Sequence, residues 1–187
     1  MITSFYKLTL YLITLATISG CSSREMPVLY ALPKFEFTTS LGNAFGHSEF
    51  KNKVTVVDFI FTSCQGVCPE MTASMGGLYR KFETESRVQF VSITVDPAHD
   101  SLQVLQKYAK DVGIIDHRWK FLWAPIDDVV KLSHHGFKLA ADNLPEGHSS
   151  RFVLVDRSAN IRGYYDSLDG VEMDKLSVGI YQLLKSY

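Results

Sequence analysis

Apolar and β-branched residues run almost unbroken over 54–61 (V-T-V-V-D-F-I-F), and Thr62-Ser63 end the run. That is the pattern of a strand buried on both faces. Beyond Pro69, which suits the first turn of a helix, Met71, Met75, Leu78, Tyr79 and Phe82 recur at helical spacing. A second strand is predicted over 88–95, closed by Asp96-Pro97, and then a helix marked by Leu102, Leu105, Tyr108 and Ala109, with Asp100 or Ser101 as its N-cap. A short strand over 120–124 leads to a helix over 126–137, with Asp127 and Asp128 in its first turn and Gly136 near its end. A strand over 151–156 turns at Ser158-Ala159-Asn160 into a partner over 161–165, and a helix over 171–184 closes the chain, with Leu176, Ile180 and Leu184 on one face. Upstream, 35–38 and 44–47 flank the turn Leu41-Gly42-Asn43 as a small hairpin. This order is α/β, with parallel pairings through right-handed crossovers and then an antiparallel edge. In such sheets, active groups gather at the carboxyl ends of strands.

The first residues have another character. Lys7 precedes an apolar run over 8–18, too short for a spanning helix but long enough for the core of a signal peptide. Ile18-Ser19-Gly20-Cys21 then resembles a bacterial lipobox, which makes Cys21 the lipidated N-terminus of the mature protein; an uncleaved N-terminal anchor with an incidental cysteine is the other reading. The predicted organisation is a lipoprotein-type signal peptide over 1–20, a tether over 21–33 and one domain over 34–187. The domain is expected in the bacterial cell envelope, outside the cytoplasmic membrane or in the periplasm. Net charge is −1, with Lys and Arg spread along the chain, so no nucleic-acid groove or polybasic membrane patch is expected.

Charge and compartment change the meaning of the three cysteines. With Cys21 assigned to the anchor, Cys64 and Cys68 remain as a pair in an oxidising compartment, Cys64 in the strand-to-helix loop and Cys68 at the helix entrance. Free N–H groups at a helix N-terminus favour thiolate over thiol, and the thiolate is both nucleophile and metal ligand. Spacing alone leaves open a disulfide, a metal site or two structural cysteines. Among the six histidines, the neighbours His134 and His135 read as surface polar residues, and His47, His99 and His117 lie in or beside turns. His148 precedes the predicted strand over 151–156 in the loop Pro145-Glu146-Gly147-His148-Ser149-Ser150, from which it could reach the cysteines.

The segments F-T-S-C-Q-G-V-C-P, V-S-I-T-V-D-P-A-H-D and G-H-S-S-R-F-V-L-V-D, in this order, resemble the Sco (SenC) family of copper-binding proteins of cytochrome c oxidase assembly. The resemblance implies a thioredoxin-like fold, a central mixed sheet flanked by helices, with an N-terminal β-hairpin. It implies a copper site made by Cys64, Cys68 and His148. The recipient would be the copper-bearing subunit of cytochrome c oxidase and the donor a periplasmic copper carrier. Members commonly carry Pro-Asp after the first cysteine where this chain has Gln65-Gly66, a change that loosens the loop and removes an acidic group. Asp96, before Pro97, is either a hydrogen-bonding or recruiting residue of the site or an ordinary turn residue.

Two thiolates and an imidazole form a soft, low-coordinate set that suits Cu(I) and also holds Cu(II), whereas structural zinc asks for a fourth ligand. Only the dithiol binds metal, so a thiol reductant or early loading is implied. The competing function is a thiol-disulfide oxidoreductase using Cys64 and Cys68, although its usual spacing is C-x-x-C and His148 would have no clear task. A thiol peroxidase, with Cys64 peroxidatic and Cys68 resolving, and a non-catalytic binding module are the remaining alternatives.

Overall fold

The computed structural model describes residues 25–114 and 116–186. The expected signal peptide over 1–20 and the lipidation site Cys21 lie outside them. Strands β1 (Tyr30–Ala31), β2 (Glu36–Thr39), β3 (Ala44–Gly46), β4 (Val54–Ile60), β5 (Val88–Thr94), β6 (Trp119–Trp123), β7 (Arg151–Val155) and β8 (Asn160–Asp166) form one sheet in the order β1-β8-β7-β4-β5-β6-β2-β3. Helices α1 (Cys68–Lys81), α2 (Leu102–Asp111), α3 (Ile126–Lys131) and α4 (Gly170–Lys185) connect and flank it. β4, β5 and β6 pair in parallel, and every other pairing is antiparallel.

β4 is central and every one of its residues is buried, so it needs an apolar side chain toward both faces. On one face Val54, Val56 and Ile60 pack with Met71, Met75 and Leu78 of α1 and Leu176 and Ile180 of α4. On the other, Val57, Phe59 and Phe61 pack with Phe50, Val129, Leu132 and Phe137. The helical path after α3 runs on through a wider turn, Leu132–Phe137, and ends at Lys138 with φ 55°.

The end of the expected tether differs from a free linker. Tyr30–Ala31 adds an edge strand to β8, Leu32 is buried, and the Arg162 guanidinium donates to the carbonyls of Met26 and Pro27. A two-residue strand carries no periodicity, so its pairing was invisible in the sequence.

Candidate metal centre

The cysteine loop leaves the carboxyl end of β4. The last β4–β5 bond runs from Val95 N–H to the Ile60 carbonyl at 2.8 Å, and Thr62 follows beyond it. Asp100, wholly buried, takes up Thr62 there: its carboxylate accepts from the Thr62 N–H at 3.1 Å and the Thr62 hydroxyl at 2.5 Å, and also from the Thr94 hydroxyl at 2.6 Å. The N-cap of α2 is Ser101, whose Oγ accepts from the Val104 N–H, which leaves Asp100 free for this task.

Cys64 is half-buried and Cys68, the first residue of α1, is 1% exposed; no disulfide joins them. The two thiols differ for a physical reason. At Cys64 burial opposes ionisation, but hydrogen bonds from the Cys68 thiol and from the backbone N–H groups of Cys68, Gly66 and Val67 outweigh it and lower its pKa. Burial pushes the Cys68 thiol up to about 12, reinforced by its hydrogen bond to Cys64 and by the charges of Cys64 and Asp58. The helix N-terminus therefore acidifies the loop cysteine and not the cysteine that begins the helix.

His148 reaches the pair because β7 runs antiparallel to β4, so the residues that precede β7 lie at the carboxyl end of β4. Its loop is tied to itself, not free: Ala141 and His148 form a β-bridge, and the Gly147 N–H donates to the Asn143 carbonyl at 3.0 Å. A side chain at position 147 would run into the Asp142 carbonyl, so only glycine allows this approach. The imidazole stands edge-on to Phe61, with ring centroids 5.6 Å apart. Its Nδ1 lies 3.2 Å from the Ser149 carbonyl, a pairing that assigns the proton to Nδ1, and its Nε2 lies 3.3 Å from Cys68 Sγ. Burial lowers the pKa of His148, so the ring is neutral at physiological pH with its Nε2 lone pair directed at the thiol.

A metal bound at about 2.3 Å by sulfur and about 2.0 Å by nitrogen holds those donors roughly 3.5 Å apart at a tetrahedral angle. The 3.3 Å separation of Cys68 Sγ and His148 Nε2 is compatible with one shared ion. Among the described residues no group of three or more His, Cys, Asp or Glu side chains is preassembled as a cage. Cys64, the half-buried thiol of the same loop, interacts with the Cys68 thiol.

Asp96 shapes the turn through its main chain. Its N–H donates to the Thr94 hydroxyl and its carbonyl accepts from the His99 and Asp100 N–H groups. His134 and His135 lie at the protein surface, with His134 Nε2 3.7 Å from Asp142, consistent with their reading as surface polar residues.

Two acidic residues were not singled out for the site from sequence. One is Asp100. The other is Asp58, the lone acidic residue within the apolar 54–61 run, which is itself the signal that could have found it. It is wholly buried, neither oxygen has a hydrogen-bond partner, and Ser92 faces it across the β4–β5 ladder. Burial raises its pKa to about 7, and Ser92, outside hydrogen-bonding geometry, offsets this only in part.

The SCO1/SenC family model matches residues 28–176. The chain belongs to the SCO1/SenC family. The crystal structure of a SCO1/SenC family lipoprotein from Bacillus anthracis is similar at 31% identity and a TM-score of 0.77, over 83% of this chain and 96% of that one. BsSco, described as a member of the Sco family of cytochrome c oxidase assembly proteins and as carrying a disulfide switch, is similar at 28% identity and a TM-score of 0.74, over 86% of this chain and 98% of that one. A protein of Stutzerimonas stutzeri named for copper binding is 28% identical over 160 residues, 79% of this chain and 76% of that one. The mixed sheet with flanking helices is accordingly the thioredoxin-like fold of these Sco structures. No described helix is long and apolar enough to cross a membrane.

Proposed function

We propose that this Sco-family chain is a membrane-anchored copper chaperone that supplies copper to the copper centre of cytochrome c oxidase, with Cys64, Cys68 and His148 as its protein ligands. The observation that carries this reading is the neutral His148 Nε2 aimed at Cys68 Sγ beside a second, more acidic thiol. That donor set is soft enough for Cu(I), and its nitrogen serves Cu(II). The half-buried Cys64 is the entry point: an incoming protein thiol or copper ion meets it before the enclosed Cys68. Ligand-by-ligand exchange from an open loop lets the cargo leave as it came.

On this reading the copper-loaded, reduced domain passes its metal to an apo-domain carrying the oxidase copper centre, measured as copper content after the two are separated. Copper that stays with the Sco domain at excess acceptor contradicts the assignment of that recipient. A periplasmic copper carrier upstream and a thiol reductant that keeps the pair reduced complete the expected partners; no nucleic acid is expected.

The expected place of action is the cell envelope, with the domain held to a membrane by lipid on Cys21. A described SCO1/SenC relative is a lipoprotein, which supports the lipobox reading. Mass spectrometry of protein extracted from membranes should find a diacylglyceryl adduct on an N-terminal Cys21. Mature chains that retain residues 1–20 would sink the anchor assignment.

A second reading, thiol-disulfide exchange by the same pair, is favoured by one feature. An acidic, accessible Cys64 beside a buried thiol suits attack by the first sulfur and resolution by the second.

A further inference from the structure

The turn between β5 and α2 reaches across to the cysteine loop, and Asp100 is the residue that makes the connection. Its side chain has no exposed surface, and both oxygens are engaged. Oδ2 accepts from the Thr62 N–H at 3.1 Å and from the Thr94 hydroxyl at 2.6 Å; Oδ1 accepts from the Thr62 hydroxyl at 2.5 Å and lies 3.1 Å from His99 Nδ1. Its own N–H donates to the Asp96 carbonyl at 2.8 Å, which closes the turn behind it.

A buried carboxylate is costly to keep unless its hydrogen bonds are complete, and here they are complete only because Thr62 supplies both of its donors. Helix capping does not explain the residue, since Ser101 performs it. Core filling does not explain it either, because an apolar side chain would fill the space without the polar demand. What the bonds accomplish is local. The β4–β5 ladder ends at Ile60, and the chain would be free to swing from there; Asp100 fixes the next polar residue, two positions before Cys64. Between Thr62 and Cys64 the backbone is tied further by a 3.4 Å bond from the Cys64 N–H to the Phe61 carbonyl.

We propose that Asp100 is a positioning residue for the cysteine pair: by clamping Thr62 to the end of β5 it sets where Cys64 stands relative to Cys68 and His148. This rests on Cys64 and Cys68 acting as a pair, which the copper and thiol readings share. Because a positioned thiol raises the effective concentration of one sulfur at the other, the metal-free disulfide equilibrium reports the clamp directly.

The test is the equilibrium between the Cys64–Cys68 disulfide and glutathione for wild type, Asp100→Asn and Asp100→Ala, each at a temperature where thermal unfolding shows it folded, with Cu(II)-thiolate absorption read alongside. Asp100→Ala should lower the equilibrium constant for disulfide formation at least tenfold, about 30 mV for this two-electron couple, and Asp100→Asn, which retains one acceptor, should fall between. Thr62→Val removes the hydroxyl bond while keeping the N–H bond, and should give about a threefold fall if the aspartate variants do not fold. An equilibrium constant unchanged or increased in the folded variants, with only the melting temperature lowered, overturns the proposal and leaves Asp100 a stabilising residue. A shifted glutathione equilibrium in protein that takes up no copper counts against the copper reading and still supports the clamp.

Discussion

His148→Ala is expected to abolish the Cu(II)-thiolate absorption of the loaded domain, or move it to a different band, while the reduced protein still takes up Cu(I) at least tenfold more weakly. The reason is in the ligand preferences. Cu(I) accepts two thiolates alone, but Cu(II) prefers a nitrogen donor and higher coordination, and Nε2 is the nitrogen placed against Cys68 Sγ, at 3.3 Å. The fold should survive, since the loop around His148 is held by main-chain bonds at Gly147 and by the Ala141 bridge, and the imidazole itself is only partly buried. Because burial lowers the pKa of His148, protons compete for Nε2 less than for a free imidazole, and the fall in wild-type Cu(II) binding as pH drops through neutrality should come from the proton that the Cys68 thiol must release. Thiol-disulfide exchange predicts a different outcome. Turnover on a disulfide substrate depends on Cys64 and Cys68, and the histidine variant should then differ little from wild type. Unchanged Cu(II) spectra with substantial reductase turnover in both proteins would favour the enzyme.

Asp58→Asn is expected to stabilise the reduced protein at neutral pH and to have little effect in acid. The folded-state pKa of Asp58 is about 7 against an ordinary value of 3.8. A raised folded pKa means that the folded protein holds the proton more tightly than the unfolded chain. The favourable contribution is therefore complete below about pH 4 and is lost as pH rises toward 7. At 1.36 kcal/mol per pKa unit, the loss amounts to about 4 kcal/mol above pH 7, an upper figure because the buried amide of the variant also lacks partners. Urea unfolding of both proteins between pH 4 and 8 isolates the effect, since the lowered carboxylates Glu85, Asp116 and Asp156 contribute equally to each. A difference between wild type and variant that stays constant across this range would show that Asp58 does not change its protonation there.

Much of the frame was legible because it depends on local pattern. The double burial of β4, the helix beginning at Cys68, the N-terminal hairpin and the closing β7–β8 pair all follow from runs and turns within a few residues. The site was legible in part. Cys64 and Cys68 are neighbours in sequence, but His148 depends on β7 lying antiparallel beside β4, a pairing that connects Thr55 with Val155 and Val57 with Val153 and that periodicity cannot specify. The contrast in acidity between the cysteines was likewise hidden, because it depends on which thiol is enclosed and which accepts the N–H groups of the first helical turn. Asp100 and Asp58 illustrate opposite limits. The first looked like a cap in a turn-rich motif, and only the position of Thr62 reveals its use. The second stood out in composition, an acid within a strand of Val, Phe and Ile, but its burial without a partner is a three-dimensional fact.

The central claim is that two thiols and one imidazole hold copper, and anaerobic titration tests it most directly. The domain lacking residues 1–24 is reduced, freed of reductant and titrated with Cu(I) against a chromogenic competitor, and the endpoint is read as copper per chain, with zinc titrated in parallel. The account predicts one Cu(I) per chain, withdrawn from the competitor, lost when Cys64 and Cys68 are both replaced by Ser, with zinc bound far more weakly. A reduced domain with two free thiols that leaves the competitor its copper, or that takes zinc in preference, would contradict it.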